Sequence, residues 1–156
     1  MQNPVDIIKK DHKEVENLFF QFKESSGASD EERRDIADKI LKELTIHAKM
    51  EEKFFYPKLA EITGEEKMVE DAIAEHHAAK VLILELKMMP VSADSFESKM
   101  KVLEDNIMKH VEEEEGELLP KAQEEIAPDE MDHLGKEMEE FKADAHKSLL
   151  DKLLGD

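Results

Sequence analysis

Helix-breaking residues are scarce in this chain, and their placement constrains the fold more than any other feature. There are 5 Gly and 5 Pro among 156 residues, and the turn material gathers at Ser25-Ser26-Gly27-Ala28, Thr63-Gly64, Pro90-Val91-Ser92 and Ala127-Pro128-Asp129. Four breaks are too few for a many-stranded sandwich or barrel. Between them the apolar residues recur at steps of three and four, the helical period. The spacing predicts five helices, over about 4–24, 30–61, 65–89, 94–123 and 129–153. Asn3-Pro4 supplies a cap residue ahead of a first-turn proline, and Ser29-x-x-Glu32 and Thr63-x-x-Glu66 read as capping boxes. Short connections force antiparallel neighbours, so the expected fold is all-α: an up-down-up-down four-helix bundle with an added C-terminal helix. The division expected is a bundle over 1–124 and a packed C-terminal helix over 125–156. That last helix carries Met131, Leu134, Met138, Phe141, Ala145 and Leu149 as one stripe fit to lie against the bundle.

Composition narrows the function. Asp and Glu number 40 against 22 Lys and Arg, a formal net charge of −18, which argues against nucleic acid or an anionic membrane as partner. With no Cys there is no disulfide framework, thiolate metal site or cysteine nucleophile. Met1-Gln2-Asn3-Pro4 lacks the basic and apolar regions of a signal peptide, and no run of about 18 apolar residues spans a bilayer. A cytoplasmic location is expected. Although 40% of residues are charged, the periodic apolar pattern argues against disorder.

An internal repeat carries most of the information. His47-Ala-Lys-Met-Glu51-Glu52 runs on to Pro57-Lys58, and His110-Val-Glu-Glu-Glu114-Glu115 runs on to Pro120-Lys121. In both, Glu follows His by four residues and Pro follows by ten. Asp11-His12 stands 35 residues before His47, and Glu75-His76 stands 34 before His110. Each pair of helices thus contributes a His and then a His-x-x-x-Glu.

The neighbours on each face say where the histidines point. His12 shares its face with Val5, Ile8, Val15, Phe19 and Phe22, and His76 with Val69, Ala72, Ala79, Ile83 and Leu86, all apolar. His77 shares its face with Glu70, Lys80 and Lys87, so His76 is expected inward and His77 at the rim. Ile40 and Leu44 lie beneath His47, and Leu103 and Ile107 beneath His110. Glu51 and Glu114 sit about 40° from their histidines, in the same inward sector. Two inward carboxylates with no inward Lys or Arg at their level need a counter-cation, because a buried unpaired charge costs several kcal/mol or more. Imidazole nitrogen with carboxylate oxygen suits iron, manganese or zinc, and four nitrogens with two carboxylates suit two bridged ions. The expected ligands are therefore His12, His47, Glu51, His76, His110 and Glu114. His133 and His146 are read as solvated or helix-packing residues, Tyr56 as packing or surface, and the nine Met as core filler.

His, His-x-x-x-Glu, His, His-x-x-x-Glu over residues 4–122 resembles the hemerythrin-like, or HHE cation-binding, family. The resemblance implies a non-haem di-iron centre, oxo- or hydroxo-bridged, with Glu51 and Glu114 as bridges, and manganese or zinc as lesser occupants. It departs from the oxygen-carrying hemerythrins in two respects. No fifth His lies one turn from His76, where Ala72 and Lys80 stand, and the last helix has Glu114 four residues after His110 in place of an Asp at five. One metal is then short of a nitrogen ligand and more open to small molecules. Relatives with this ligand set look like sensors or handlers of oxygen, nitric oxide or peroxide.

Three functions follow. The first is binding or sensing of such a small oxidant at an open iron site, with redox activity toward peroxide or nitric oxide but not a conventional enzyme. The second is iron storage or handling without turnover, and the third a bundle that metal merely stabilises. A ferritin-type site needs two Glu-x-x-His motifs, and only Glu130-x-x-His133 is present, outside the four-helix core.

Overall fold

Each of the first helices starts where the sequence supplies an acceptor for its free N–H groups. The computed structural model describes the backbone of residues 3–154 and the side chains of residues 3–147. Helix α1 (Pro4–Glu24) opens on Asn3, whose side chain accepts from the Asp6 N–H at 3.0 Å, and α2 (Asp30–Met50) opens on Ser29, which accepts from Glu32 at 3.2 Å. The chain continues as α3 (Tyr56–Thr63), α4 (Glu66–Met88), α5 (Asp94–Glu113), α6 (Leu119–Glu125) and α7 (Pro128–Leu154). Thr63 does not cap α4 as a capping box would. Its hydroxyl donates back to the Leu59 carbonyl, and Gly64, at φ 74°, ends α3 in the left-handed conformation before α4 begins.

The expected helices over 30–61 and 94–123 are each two helices joined by one wide turn. Glu51–Phe55 links α2 to α3 and Glu114–Leu118 links α5 to α6, both as π-helical segments. The Tyr56 N–H bonds to the Glu51 carbonyl and the Leu119 N–H to Glu114, five residues back in each case. Pro57 and Pro120 supply the cause: each lacks an N–H, and its ring collides with the carbonyl four residues earlier in a regular helix. A wider turn just ahead of the proline relieves both problems, and such turns recur at functional sites.

The result is an up-down-up-down bundle of α1, α2–α3, α4 and α5–α6, with α7 packed on α1, α2 and the first π segment. Met131, Leu134 and Met138 of α7 are buried as the stripe requires; Leu149 lies outside the described side chains. The core is split in two. One apolar cluster gathers Ile8, Met50, Phe55, Leu59, Ala72 and Leu118, and the other Val15, Leu44, Ala79, Ile83 and Leu103. Each of the four rods passes from one cluster to the other at its histidine. The polar layer therefore lies between two apolar plugs.

Arg34 of α2 closes the far end of α4, donating to the carbonyls of Leu86 at 3.2 Å and Met89 at 2.9 Å. Replacing it by Met keeps the apolar stem and removes these donors, at a cost of about 1 kcal/mol. Arg34→Met is expected to lower the melting temperature by roughly 3 °C. An unchanged melting curve would mean that water replaces the guanidinium at those carbonyls.

Candidate metal centre

All six candidate ligands converge in the layer between the two plugs. Their atoms fall into two groups, His12, His47, Glu51 and Glu114 in one and Glu51, His76 and His110 in the other, each with all ligand atoms within 4.8 Å of one another. Glu51 and Glu114 are fully buried. The Nε2 atoms face these carboxylates: His12 lies 3.0 Å from Glu114 Oε1, His47 3.2 Å and His76 3.1 Å from Glu51 Oε1, and His110 3.3 Å from Glu114 Oε2.

The outer nitrogens follow one rule. Every Nδ1 meets a carboxylate: His47 meets Asp11 at 2.7 Å, His110 meets Glu75 at 3.1 Å, His12 meets Glu115 at 2.7 Å and His76 meets Glu52 at 2.9 Å. A carboxylate only accepts, so each Nδ1 carries the hydrogen and a neutral ring turns its Nε2 lone pair to the centre. This is how carboxylates commonly orient metal-binding imidazoles. Sequence reasoning missed these four acids as a set, although the repeat contains them. The acid before the first His of each half holds that half's second His. The acid after each inward Glu holds the first His of the other half.

His77 is exposed, and Ile73 and Leu84 on its side of α4 are 38% and 52% exposed, so α4 has the phase expected for an inward His76. His133 pairs with Glu137 on the surface, and His146 packs α7 on α2 through Glu43 at 2.7 Å.

Tyr56 corrects the sequence expectation. A straight helix places it about 180° from His47, on the packing or surface side. The π segment inserts the equivalent of one residue and turns it back by about 100°. The side chain is fully buried, with its hydroxyl 2.5 Å from Glu114 Oε2, to which it donates. The same oxygen is 3.1 Å from Glu51 Oε1, 3.3 Å from His76 Nε2 and 3.2 Å from His110 Nε2. It lies on the side of the His76 and His110 group. Pro57 was the available signal, since a proline inside a helical pattern announces an irregular turn. A cation also comes nearer than expected: Lys142 of α7 ion-pairs with Asp11, behind His47 rather than beside Glu51 or Glu114.

The charges respond to this packing. Burial alone would lower the His47 pKa, but the charge of Glu51 and the bond to Asp11 outweigh it and hold it well above the ordinary value. For His110, burial is likewise outweighed, first by the hydrogen bond to Glu114, and the pKa rises to about 9. Burial would raise Glu51, yet the His47 charge holds it well below the usual range. Burial and the charges of Glu51 and Glu114 push the Tyr56 phenol well above its ordinary value. Glu51 Oε2 and His47 Nε2 are buried without a hydrogen-bond partner. A carboxylate oxygen left without a donor at the middle of the bundle fits a bound cation, and the nitrogen–oxygen donor set fits a borderline metal.

Known proteins bear on this arrangement. A family model described as hemerythrin HHE cation binding domain matches residues 3–122. The crystal structure of an HHE cation-binding domain-containing protein from Mycobacterium kansasii superposes with a TM-score of 0.85 at 28% identity, covering 98% of this chain and 93% of that one. A hemerythrin-like protein of Schizosaccharomyces pombe is 26% identical over 88% of this chain and 68% of its own length. A protein of Nostoc named DNA nickase is 26% identical over 94% of this chain, which spans only 41% of that protein. The matched residues contain both halves of the repeat and the whole His/Glu layer, so the chain belongs to the hemerythrin HHE cation-binding domain family.

Proposed function

We propose that this chain is a non-haem di-iron protein that binds or senses a small oxidant, oxygen, nitric oxide or peroxide, through redox chemistry at the His/Glu layer. The observation that carries this reading is the pair of ligand groups sharing Glu51, with an orphaned buried acceptor at Glu51 Oε2. His12 and His47 would hold one ion and His76 and His110 the other, with Glu51 and Glu114 between them. When bound, iron supplies electrons and a coordination position to a small oxidant. The protein supplies the rest. Four carboxylates fix the rings, the apolar plugs close the layer above and below, and Tyr56 keeps its proton on Oη at neutral pH. That hydroxyl orients a small ligand beside His76 and His110 and can lend it a hydrogen bond. The nicking activity named for the Nostoc relative is not carried over, because this chain spans only 41% of that protein.

Metal analysis of untagged protein is expected to find about two irons per chain, with near-ultraviolet charge-transfer absorption that changes on adding nitric oxide or peroxide. His76→Ala should lower the iron content and His77→Ala should leave it nearly intact. Tyr56→Phe preserves the volume, so iron should stay while the response to peroxide or nitric oxide changes. Stoichiometric zinc, with no optical response after reconstitution with iron, would sink the reading in favour of a metal-stabilised bundle. Stable iron with no response to any of these ligands would favour iron handling.

The raised histidines set a pH signature in metal-free protein. A pKa raised on folding stabilises fully below the unfolded value of about 6.5 and ceases to do so as pH climbs through the folded value, about 9 for His110. The lowered Glu51 stabilises above its ordinary 4.5 and ceases to do so as pH falls through its depressed folded value. Metal-free protein should therefore melt several degrees lower at pH 9 than at pH 6. Bound metal displaces those protons, so affinity rises with pH and the loaded protein should lose that dependence. Identical melting of both forms at the two pH values would place the metal elsewhere.

A further inference from the structure

A cleft beside the His/Glu layer is larger than any small oxidant needs. It measures about 710 Å³, opens between α2 and α4, and reaches His47, His76 and His110. A water takes about 30 Å³ of liquid, whereas clefts of about 300–1,000 Å³ receive drug-sized organic molecules. The inner wall is apolar, built from Val15, Leu44, Ala79, Ile83 and Ile107.

The mouth has the opposite character to the chain as a whole. Lys49, Lys53, Lys80 and Lys87 line it and are exposed, in a protein of net charge −18. Among the described residues, lysine ion pairs are made by Lys58, Lys67, Lys99, Lys101, Lys121 and Lys142, and none by these four. The acids on the lining are Asp11 and Glu52, and both are engaged, Asp11 by His47 and Lys142 and Glu52 by His76. Beside the lysines of α4, Ile73 and Leu84 are exposed, an apolar lip uncovered among the described residues.

An apolar slot behind cations that make no ion pair among the described residues fits a molecule with an anionic head and an aliphatic tail. We propose that this cleft binds such an anionic amphiphile, its tail along Leu44, Ile83 and Ile107 and its carboxylate or phosphate head among the mouth lysines. The inference goes beyond the metal reading and does not depend on it, since none of these residues is a candidate ligand.

Calorimetry on the full chain, metal-free and iron-loaded, tests it with decanoate, decyl phosphate, hexanoate and decylammonium. Decanoate or decyl phosphate should bind once per chain, and whichever binds more tightly names the head group. Shortening the carboxylate should weaken binding by about fourfold per methylene removed. The exposed double variant Lys80→Gln, Lys87→Gln should weaken the anions about tenfold while iron content and helical circular dichroism hold. Decylammonium binding as tightly as decanoate, indifference to tail length, or an unaffected double variant would overturn the proposal, and none of these outcomes touches the metal centre.

Discussion

Two carboxylates with no exposed surface, at the middle of a helical bundle, set the terms for everything around them. Removing such charges from water costs several kcal/mol each unless opposite charge lies close by. The side chains offer only partial compensation: four imidazoles, a phenol and a lysine held one carboxylate away behind Asp11. Without metal the layer makes do by keeping protons on His47 and His110, which is why their pKa values stand high. A multivalent cation satisfies the same acceptors directly. The two apolar plugs close the layer above and below, and Glu51 and Glu114 themselves have no recourse to bulk solvent.

The helices and the six converging side chains were legible because both follow one period. Where apolar residues step by three and four, a His on that stripe points inward, and α4 obeys this at Val69, Ala72, Ala79, Ile83 and Leu86. Tyr56 was illegible for the same reason: extrapolating a constant 100° per residue fails across a π turn. The Nδ1 partners were hidden differently. Glu52 and Glu115 reach histidines of the other half of the repeat, and no count along one helix pairs residues 24 or 103 apart. Lys142 is further still, 131 residues from Asp11, and its contact exists only once α7 has docked.

The repeat is an approximate two-fold, and its imperfections separate the two ligand groups. The position nine residues after His47 is Tyr56, and the one nine after His110 is Leu119. Both follow a π turn and both are buried, so the backbone treats them alike. Only the first brings an oxygen, and it brings it to the side of His76 and His110. A symmetric backbone with one unlike side chain thus gives one group a phenol that the other lacks. The group holding His12 and His47 has instead the lysine of α7 behind it.

That lysine bears on what α7 contributes. The helix lies beyond the residues that the family model matches, yet its docking contacts follow the layer closely. Phe141 meets Phe54 edge-on at 5.6 Å, Lys53 lies over both rings, and Lys142 reaches Asp11 one residue further along. Asp11 accepts from His47 through one oxygen and from Lys142 through the other. Neutralising the outer side of that carboxylate lessens the negative charge it presents to His47, so the ring's basicity depends on a helix that supplies no candidate ligand. His146, one turn on, ties the same face of α7 to Glu43 of α2, four residues before His47. Docking of α7 therefore constrains His47 at both the imidazole and the helix that carries it, which gives the appended helix a physical reason to be rigid where it meets the layer.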